Sequence, residues 1–165
     1  MERRFVHRRS LINGEIELMF FMGQFYHNLD DKGRLTVPAL YRDRLNADGC
    51  ILMQGFDSNL LLITTSHFEQ LSQKVNRLSL TDSNARLLRR VIFSTAQQLP
   101  LDNNGRILLP NFLRQHAGID HKAVVIGAGH YIEIWSPEKW SNQSQQIENI
   151  QEFADIFSEL DLSIE

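Results

Sequence analysis

The sequence predicts an α+β chain, mainly β, built from two copies of one small hairpin module. Three observations predict it. The stretch LDDKGRLTVP, beginning at Leu29, returns as LDNNGRILLP from Leu101, 72 positions later. Apolar and polar residues alternate ahead of the first stretch, where Phe25, His27 and Leu29 interleave with Gln24, Tyr26 and Asn28; that is the period of a half-buried strand. Turn chemistry recurs at the same place in each copy, as Asp30-Asp31-Lys32-Gly33 and Asp102-Asn103-Asn104-Gly105. An aspartate opening such a turn accepts from the backbone that follows, and glycine at the fourth position tolerates positive φ.

The elements follow in order. Leu35 and Val37 are expected to return as a second strand, making the unit a hairpin with a short loop. Pro38 suits the first turn of a helix, where its missing N–H costs nothing. Tyr41 and Leu45 share a face of that helix, and Asp48-Gly49 ends it. Ile51 to Met53 and Leu60 to Ile63 supply two more strands. The second copy runs from Leu99-Pro100-Leu101 through Ile107 and Leu109 to a helix begun by Pro110 and ended by Gly118, then strands Val124 to Ile126 and Tyr131 to Trp135. The offset is expected to persist without a gap, matching Arg42 to Arg114, Asp48 to Asp120, Gly55 to Gly127 and Phe68 to Trp140.

Between the copies, helices are expected near 66–78 and 82–94, the second capped within Thr81-Asp82-Ser83. Leu87, Leu88, Val91 and Ile92 form its apolar side, and Arg86, Arg89 and Arg90 its polar side. The organisation is then a disordered or loose leader (1–18), a first copy (24–66), a helical linker (67–94), a second copy (95–138), and a C-terminal helix with an acidic tail (139–165). Met19 and Met22 are alternative starts. In the tail Ile147, Ile150, Phe153, Ile156 and Phe157 keep helical spacing.

Composition bounds the function class. Of 165 residues 42% are hydrophobic and 22% charged, an ordinary globular balance. No run of about 18 apolar residues marks a membrane span. Cys50 is the only cysteine, so no internal disulfide forms and a reducing cytoplasm is expected. The net charge is −3, yet no Lys or Arg follows Lys139, whereas Glu148, Glu152, Asp155, Glu159, Asp161 and Glu165 do. A mildly basic body with an acidic tail is compatible with nucleic acid.

The paired D-x-x-G-R hairpins, Asp30 to Arg34 and Asp102 to Arg106, each followed four residues later by proline, resemble the MraZ family. The blocks GQFYHNLDDKGRLTVPALYR and NNGRILLPNFLRQHAG are similar to that family's two signature stretches, and the resemblance spans Met22 to Trp140. It implies two AbrB-type (SpoVT-AbrB, swapped-hairpin) β-barrel domains with short helices, packed about a pseudo-twofold axis. It also implies a ring-shaped homo-oligomer in the cytoplasm and nucleoid that binds repeated operators in double-stranded DNA. The genes expected under its control are those of the division and cell-wall cluster. Asn104 departs from the pattern, standing where the first copy has Lys32.

Arg34 and Arg106 follow the turn glycines, so each guanidinium sits at a hairpin tip. Such a fork takes two acceptors on guanine or clamps a phosphate; equally it pairs with Asp30 or Asp102 and stiffens the turn, and the two roles are compatible. Lys32, and Asn104 opposite it, are the other candidate DNA contacts. Asp30, Gly33, Asp102 and Gly105 are expected to hold the turns. Arg42 and Arg44 fit a solvated face, a subunit salt bridge or DNA alike, whereas Arg86, Arg89 and Arg90 fit a helix surface or subunit interface. Enzyme readings find little: His116 and His121 lack metal-site partners, and Gly127-Ala128-Gly129 fits a hairpin turn better than a dinucleotide motif. No cofactor, membrane or small-molecule substrate is expected. An antitoxin whose acidic, partly apolar tail grips a toxin remains the alternative. Because leader and tail lie outside the repeat, a chain from Met19 to Gln146 should keep the fold. Its thermal midpoint, compared with that of the full chain, checks this.

Overall fold

The computed structural model describes residues 11–12, 15–16, 20–149, 157 and 160. Short strands β1 (Leu11–Ile12) and β2 (Glu15–Ile16) pair antiparallel within the leader; the leader's expected disorder otherwise falls outside the described residues. Then follow β3 (Gln24–Asn28), β4 (Arg34–Thr36), α1 (Ala39–Asp48), β5 (Cys50–Gln54) and β6 (Leu60–Thr64). Helices α2 (Thr65–Asn76) and α3 (Ser83–Thr95) lead into the second copy: β7 (Gln97–Leu99), β8 (Arg106–Leu108), α4 (Asn111–Ala117), β9 (Lys122–Gly127), β10 (Tyr131–Trp135) and α5 (Pro137–Glu148). Of the predicted tail helix, 137–148 is α5, and the apolar spacing from Ile150 to Ile156 lies outside the described residues.

Both copies contribute to one antiparallel six-stranded sheet, ordered β3-β9-β10-β6-β5-β7. The simple hairpin expected of each copy is not what forms. β3 pairs with β9 of the other copy along its whole length, and β7 pairs with β5. β4 meets its own β3 only at the Leu29–Leu35 bridge, and pairs instead with β8. The physical reason lies in the burial of Leu35 and Ile107, at 1% and 0% exposure: each strand is too short to bury its centre alone, and pairing across copies covers both. Leu35 faces Ile107 in that ladder and Leu61 faces Glu133 in the β6–β10 ladder, and both pairs are repeat matches. Matched residues facing each other across antiparallel strands mark a local pseudo-twofold axis through both ladders.

The repeat also contains a slip that the sequence match had hidden. Leu52 faces Leu62, and Val125 faces Ile134. Leu62 and Ile134 are 72 positions apart, so Leu52 and Val125, at 73, are the structural equivalents. Gly55 therefore corresponds to Ala128 and not to Gly127: Gly55 N–H donates to Asn59 O, and Ala128 N–H to Tyr131 O. The cause is in the preceding helices. α1 has 10 residues before its Gly49 cap, while α4 has 7 before Gly118, and the segment after Gly118 carries the extra residue.

The sheet is covered on both faces, which explains why β5 is buried along nearly its full length. On one face Leu52, Leu60, Leu62, Val125, Ile132 and Ile134 pack against Tyr41 and Leu45 of α1, Leu113 of α4, and the β4–β8 ladder. On the other, Ile51, Met53 and Ile63 lie under Val75 of α2 and Ile92 of α3, while Val124 and Trp135 meet Trp140 of α5. The buried side of α3 is Ala85 and Ile92, with Leu88 partly buried. Leu87, expected on that side, is 58% exposed, because it lies about 100° round the helix from Leu88. Arg86 and Arg89 turn back to donate to the carbonyls of Leu80, Asn76 and Leu78, closing the α2–α3 turn. Among the described residues no helix is long and apolar enough to cross a membrane.

Three imidazoles are held below their ordinary value of 6.5, in each case chiefly by burial. Arg42 adds to the effect at His27, His130 and Arg44 at His67, and Lys139 at His116. The folded chain therefore keeps them neutral while the unfolded chain takes up protons first. The stability they contribute is full above 6.5 and is lost as pH falls through that value towards the depressed folded ones. Thermal melts followed by circular dichroism should show the midpoint falling between about pH 7.5 and about pH 5.5. The fall should shrink in His27→Asn.

Candidate nucleic-acid interface

The two aspartate turns are built alike. Asp30 Oδ1 accepts from the backbone N–H of Lys32 at 3.0 Å and of Arg34 at 2.9 Å. Asp102 Oδ1 accepts from Asn104 and Arg106 N–H, both at 2.9 Å. The turns close through Gly33 N–H to Asp30 O and Gly105 N–H to Asp102 O, with φ of +76° and +70° at the two glycines. That is the left-handed region, where a Cβ is costly. The N–H donors are the largest reason why both carboxyls stay below the ordinary carboxylate value, so the turns carry fixed negative charges.

Those charges hold the arginines. Arg34 Nε donates to Asp30 Oδ2 at 2.7 Å, and Arg106 Nε to Asp102 Oδ2 at 2.8 Å. Pinning Nε fixes the plane of a guanidinium and leaves the edge made by its two terminal nitrogens pointing away from the acid. Among the described residues the terminal nitrogens of Arg34 have no partner, whereas Nη1 of Arg106 reaches across to Asp30 Oδ2 at 3.4 Å. Stiffening the turn and presenting a fork are thus served by one geometry. Lys32 and Asn104 are exposed at the tips, with side chains that make no hydrogen bond among the described residues.

The tips lie side by side because β4 and β8 pair. Val37 N–H donates to Gly105 O and Leu109 N–H to Gly33 O, stitching each turn to the opposite copy. This arrangement brings two more arginines to the tips: Arg42, for which DNA contact is one of the open readings of the sequence, and Arg114, which the sequence marks only as its repeat match. Arg42 of α1 lies against Gly105, with its Nε bonded to Val37 O at 2.9 Å. Arg114 of α4 lies against Gly33, with Nη2 near Asn111 Oδ1 at 3.4 Å. Their match across the repeat was the available signal; what it lacked was the crossing that puts each arginine on the other copy's turn. Arg34, Arg42, Arg106, Arg114 and Lys32 thus gather at one end of the molecule against Asp30, Asp31 and Asp102. Arg44 is directed elsewhere, its guanidinium 4.7 Å from the centre of the Phe21 ring.

The family model described as "MraZ protein, putative antitoxin-like" matches residues 20–91 and again 92–161. The chain belongs to the MraZ family. The first MraZ match takes in α2 and most of α3 as well as the strands, and the second reaches past α5. Proteins named transcriptional regulator MraZ are similar over most of their length. The one from Thermomicrobium roseum is 43% identical over 125 residues, which are 76% of this chain and 87% of that protein. The one from Herpetosiphon aurantiacus is 48% identical over 120 residues, 73% and 83% of the two chains. The one from Desulforamulus reducens is 42% identical over 128 residues, 78% and 89%.

The packing of arginine over each turn glycine generates an unequal pair of predictions. A Cβ on Gly105 would fall 2.3 Å from Arg42 Nε, whereas one on Gly33 would stand 3.1 Å from Arg114 Cζ. Gly33→Ala should cost about 1–2 kcal/mol from left-handed backbone alone. Gly105→Ala should cost more, because Arg42 must also give up its bond to Val37 O. Urea unfolding of the two variants checks the order.

Proposed function

We propose that this chain is a sequence-specific DNA-binding transcriptional regulator that engages double-stranded DNA through its two paired turns. The observation that carries this reading is the convergence of four arginines and Lys32 on adjacent tips, with the fork of Arg34 oriented by Asp30 and otherwise unpartnered among the described residues. The relatives' shared name, transcriptional regulator, supports it. In this reading Arg34 and Arg106 read guanine edges or clamp phosphates, and Lys32, Asn104, Arg42 and Arg114 hold the backbone. Asp30, Gly33, Asp102 and Gly105 keep the forks in register. No catalytic step is assigned to any of them.

The strand exchange between residues 24–66 and 95–138 supports a pair of AbrB-type swapped-hairpin barrels, with 67–94 as connecting helices. One pair of tips neutralises few phosphates, and few phosphates give weak, salt-sensitive binding. A ring-shaped homo-oligomer on repeated operators would multiply that affinity by roughly 10² to 10⁴ per added link. Its setting would be the bacterial cytoplasm and nucleoid, its targets the division and cell-wall genes. The family's antitoxin-like description supports one second reading, an interaction module, for which this chain's acidic tail would be the contact.

Operator binding by point variants tests the assignment. Arg34→Ala should lose about 1–3 kcal/mol per engaged tip, which in an assembly nearly abolishes binding. Arg106→Ala should lose less, since its fork is already shared with Asp30. Lys32→Ala should weaken all sequences alike and reduce the slope of log affinity against log salt by about 1. Gel shifts on the DNA upstream of the chain's own gene, with melts of the same variants, give the result; full operator affinity in Arg34→Ala would overturn the site. Light scattering at micromolar concentration should show an assembly larger than a monomer.

A further inference from the structure

The face of the sheet away from the tips carries a cavity of about 330 Å³ whose exposed wall surface is mostly apolar. Leu61 and Ile63 form its floor, and Phe56, 66% exposed, and Tyr131, 38% exposed, stand at its rim. Its two carboxylates are Asp57 and Glu133. Neither has an ion-pair partner among the described residues; Lys139 is bonded to the carbonyls of Ser58 and His116. Glu133 accepts one hydrogen bond, from Trp135 Nε1 at 2.9 Å. Burial pushes its carboxyl above the ordinary value, and Asp57 pushes in the same direction. A half-buried carboxylate facing a largely apolar chamber, with no ion-pair partner among the described residues, is left uncompensated by them. On the other side of the axis Trp135 stands where Ile63 does here, and it packs on Trp140.

A segment of suitable chemistry precedes Phe20 in the sequence. Residues 1–10, MERRFVHRRS, carry Arg3, Arg4, Arg8 and Arg9 against the single acid Glu2, with Phe5 and Val6 between them. The chain enters the fold at the rim of the cavity. Phe20 packs on His130 with ring centres 5.3 Å apart, and His130 stacks on His67 at 4.9 Å, both histidines lining the chamber. Phe21 exchanges backbone hydrogen bonds with Gly129 at 2.7 and 2.9 Å. The β1–β2 pair sets Leu11 opposite Ile16, which is about 13 Å of extended chain from Phe20. An arm of ten residues then spans up to about 33 Å, ample to reach back.

We infer that this cavity is the docking site of the chain's own N-terminal arm, taking an arginine against Glu133 and Asp57 and the Phe5 ring against the apolar wall. Phe56 and Tyr131 bring two aromatic rings to the rim, and the attraction of a guanidinium to an aromatic ring strengthens as water is excluded. The tether supplies the arm at an effective concentration on the order of millimolar, so even a weak site is filled from its own chain. The interaction lies on the opposite face from the arginine tips and does not depend on what they bind.

A fluorescent peptide of residues 1–18 provides the test, titrated by anisotropy into a chain beginning at Met19 and into the full chain. The truncated chain should bind the peptide, and the full chain at least tenfold more weakly because its own arm competes. Glu133→Gln in the truncated chain, which keeps an acceptor for Trp135, should lower affinity at least tenfold. A peptide with its four arginines changed to glutamine should fail on the unaltered protein, which decides the matter even where Glu133→Gln perturbs folding. Equal affinity for full and truncated chains would overturn the inference. So would binding that survives Glu133→Gln, which would place the peptide on the acidic tail. A smaller assembly on truncation, seen by light scattering, would also overturn it, because the arm would then seat on a neighbour. Operator affinity should be the same with and without the arm, so this result and that for Arg34→Ala fail independently.

Discussion

The antiparallel pairing of β4 with β8 is the contact on which the rest of the molecule depends. It is only three residues long on each side. Yet it buries Leu35 and Ile107 against each other at the axis, each worth about 1.5–3 kcal/mol as a fully covered aliphatic side chain. It also closes the lower face of the core over Tyr41, Leu45 and Leu113. The same pairing sets the two turns next to each other and places α1 and α4 so that each arginine lies on the opposite turn. Core and candidate site are therefore consequences of one ladder. Damage to it would be felt in both places.

Electrostatics at the tips follow from that closeness. Two aspartates would oppose any polyanion brought near them, but each is occupied by three donors of its own turn. Their cost is met inside the protein, and what faces outward is the cationic edge they orient. The asymmetry is small but definite. Among the described residues Asp30 holds both Arg34 and Arg106, while Asp102 holds Arg106 alone. The first tip, with Lys32, keeps a more available fork than the second, with Asn104.

Much of this was legible in the chain itself. The repeat, the turn aspartates and glycines, the prolines ahead of α1 and α4, and the burial of Tyr41 and Leu45 all follow from local patterns. What the sequence could not convey is which strand each strand chooses as its neighbour. The alternation in Gln24–Asn28 is the same whether β3 pairs with β4 or with β9, because side-chain parity says nothing of the partner. For that reason the local pattern points to a simple hairpin and only the family resemblance implies a swapped one, and neither places Arg42 and Arg114 on the opposite turns. The slip at Leu52 and Val125 was hidden for another reason: Gly55 and Gly127 coincide by letter while serving different backbone positions. Leu87 misled because an apolar residue at the edge of a helical stripe is not obliged to face inward.

The exchange of strands has a consequence for how the chain is made. β3 ends at Asn28 and its partner β9 begins at Lys122, so most of the polypeptide must leave the ribosome before the sheet can close. At synthesis rates of about 5–20 residues per second, the first strands wait on the order of 5 to 20 s with bare hydrogen-bonding edges. During that interval the β9 of a neighbouring nascent chain is chemically indistinguishable from the chain's own. Polysomes crowded on one message would favour such cross-pairing, and its product would be an entangled dimer with every native contact satisfied. Linking the two copies in one polypeptide, with the short α2–α3 hairpin between them, raises the local supply of the correct partner and biases the competition towards the single-chain fold.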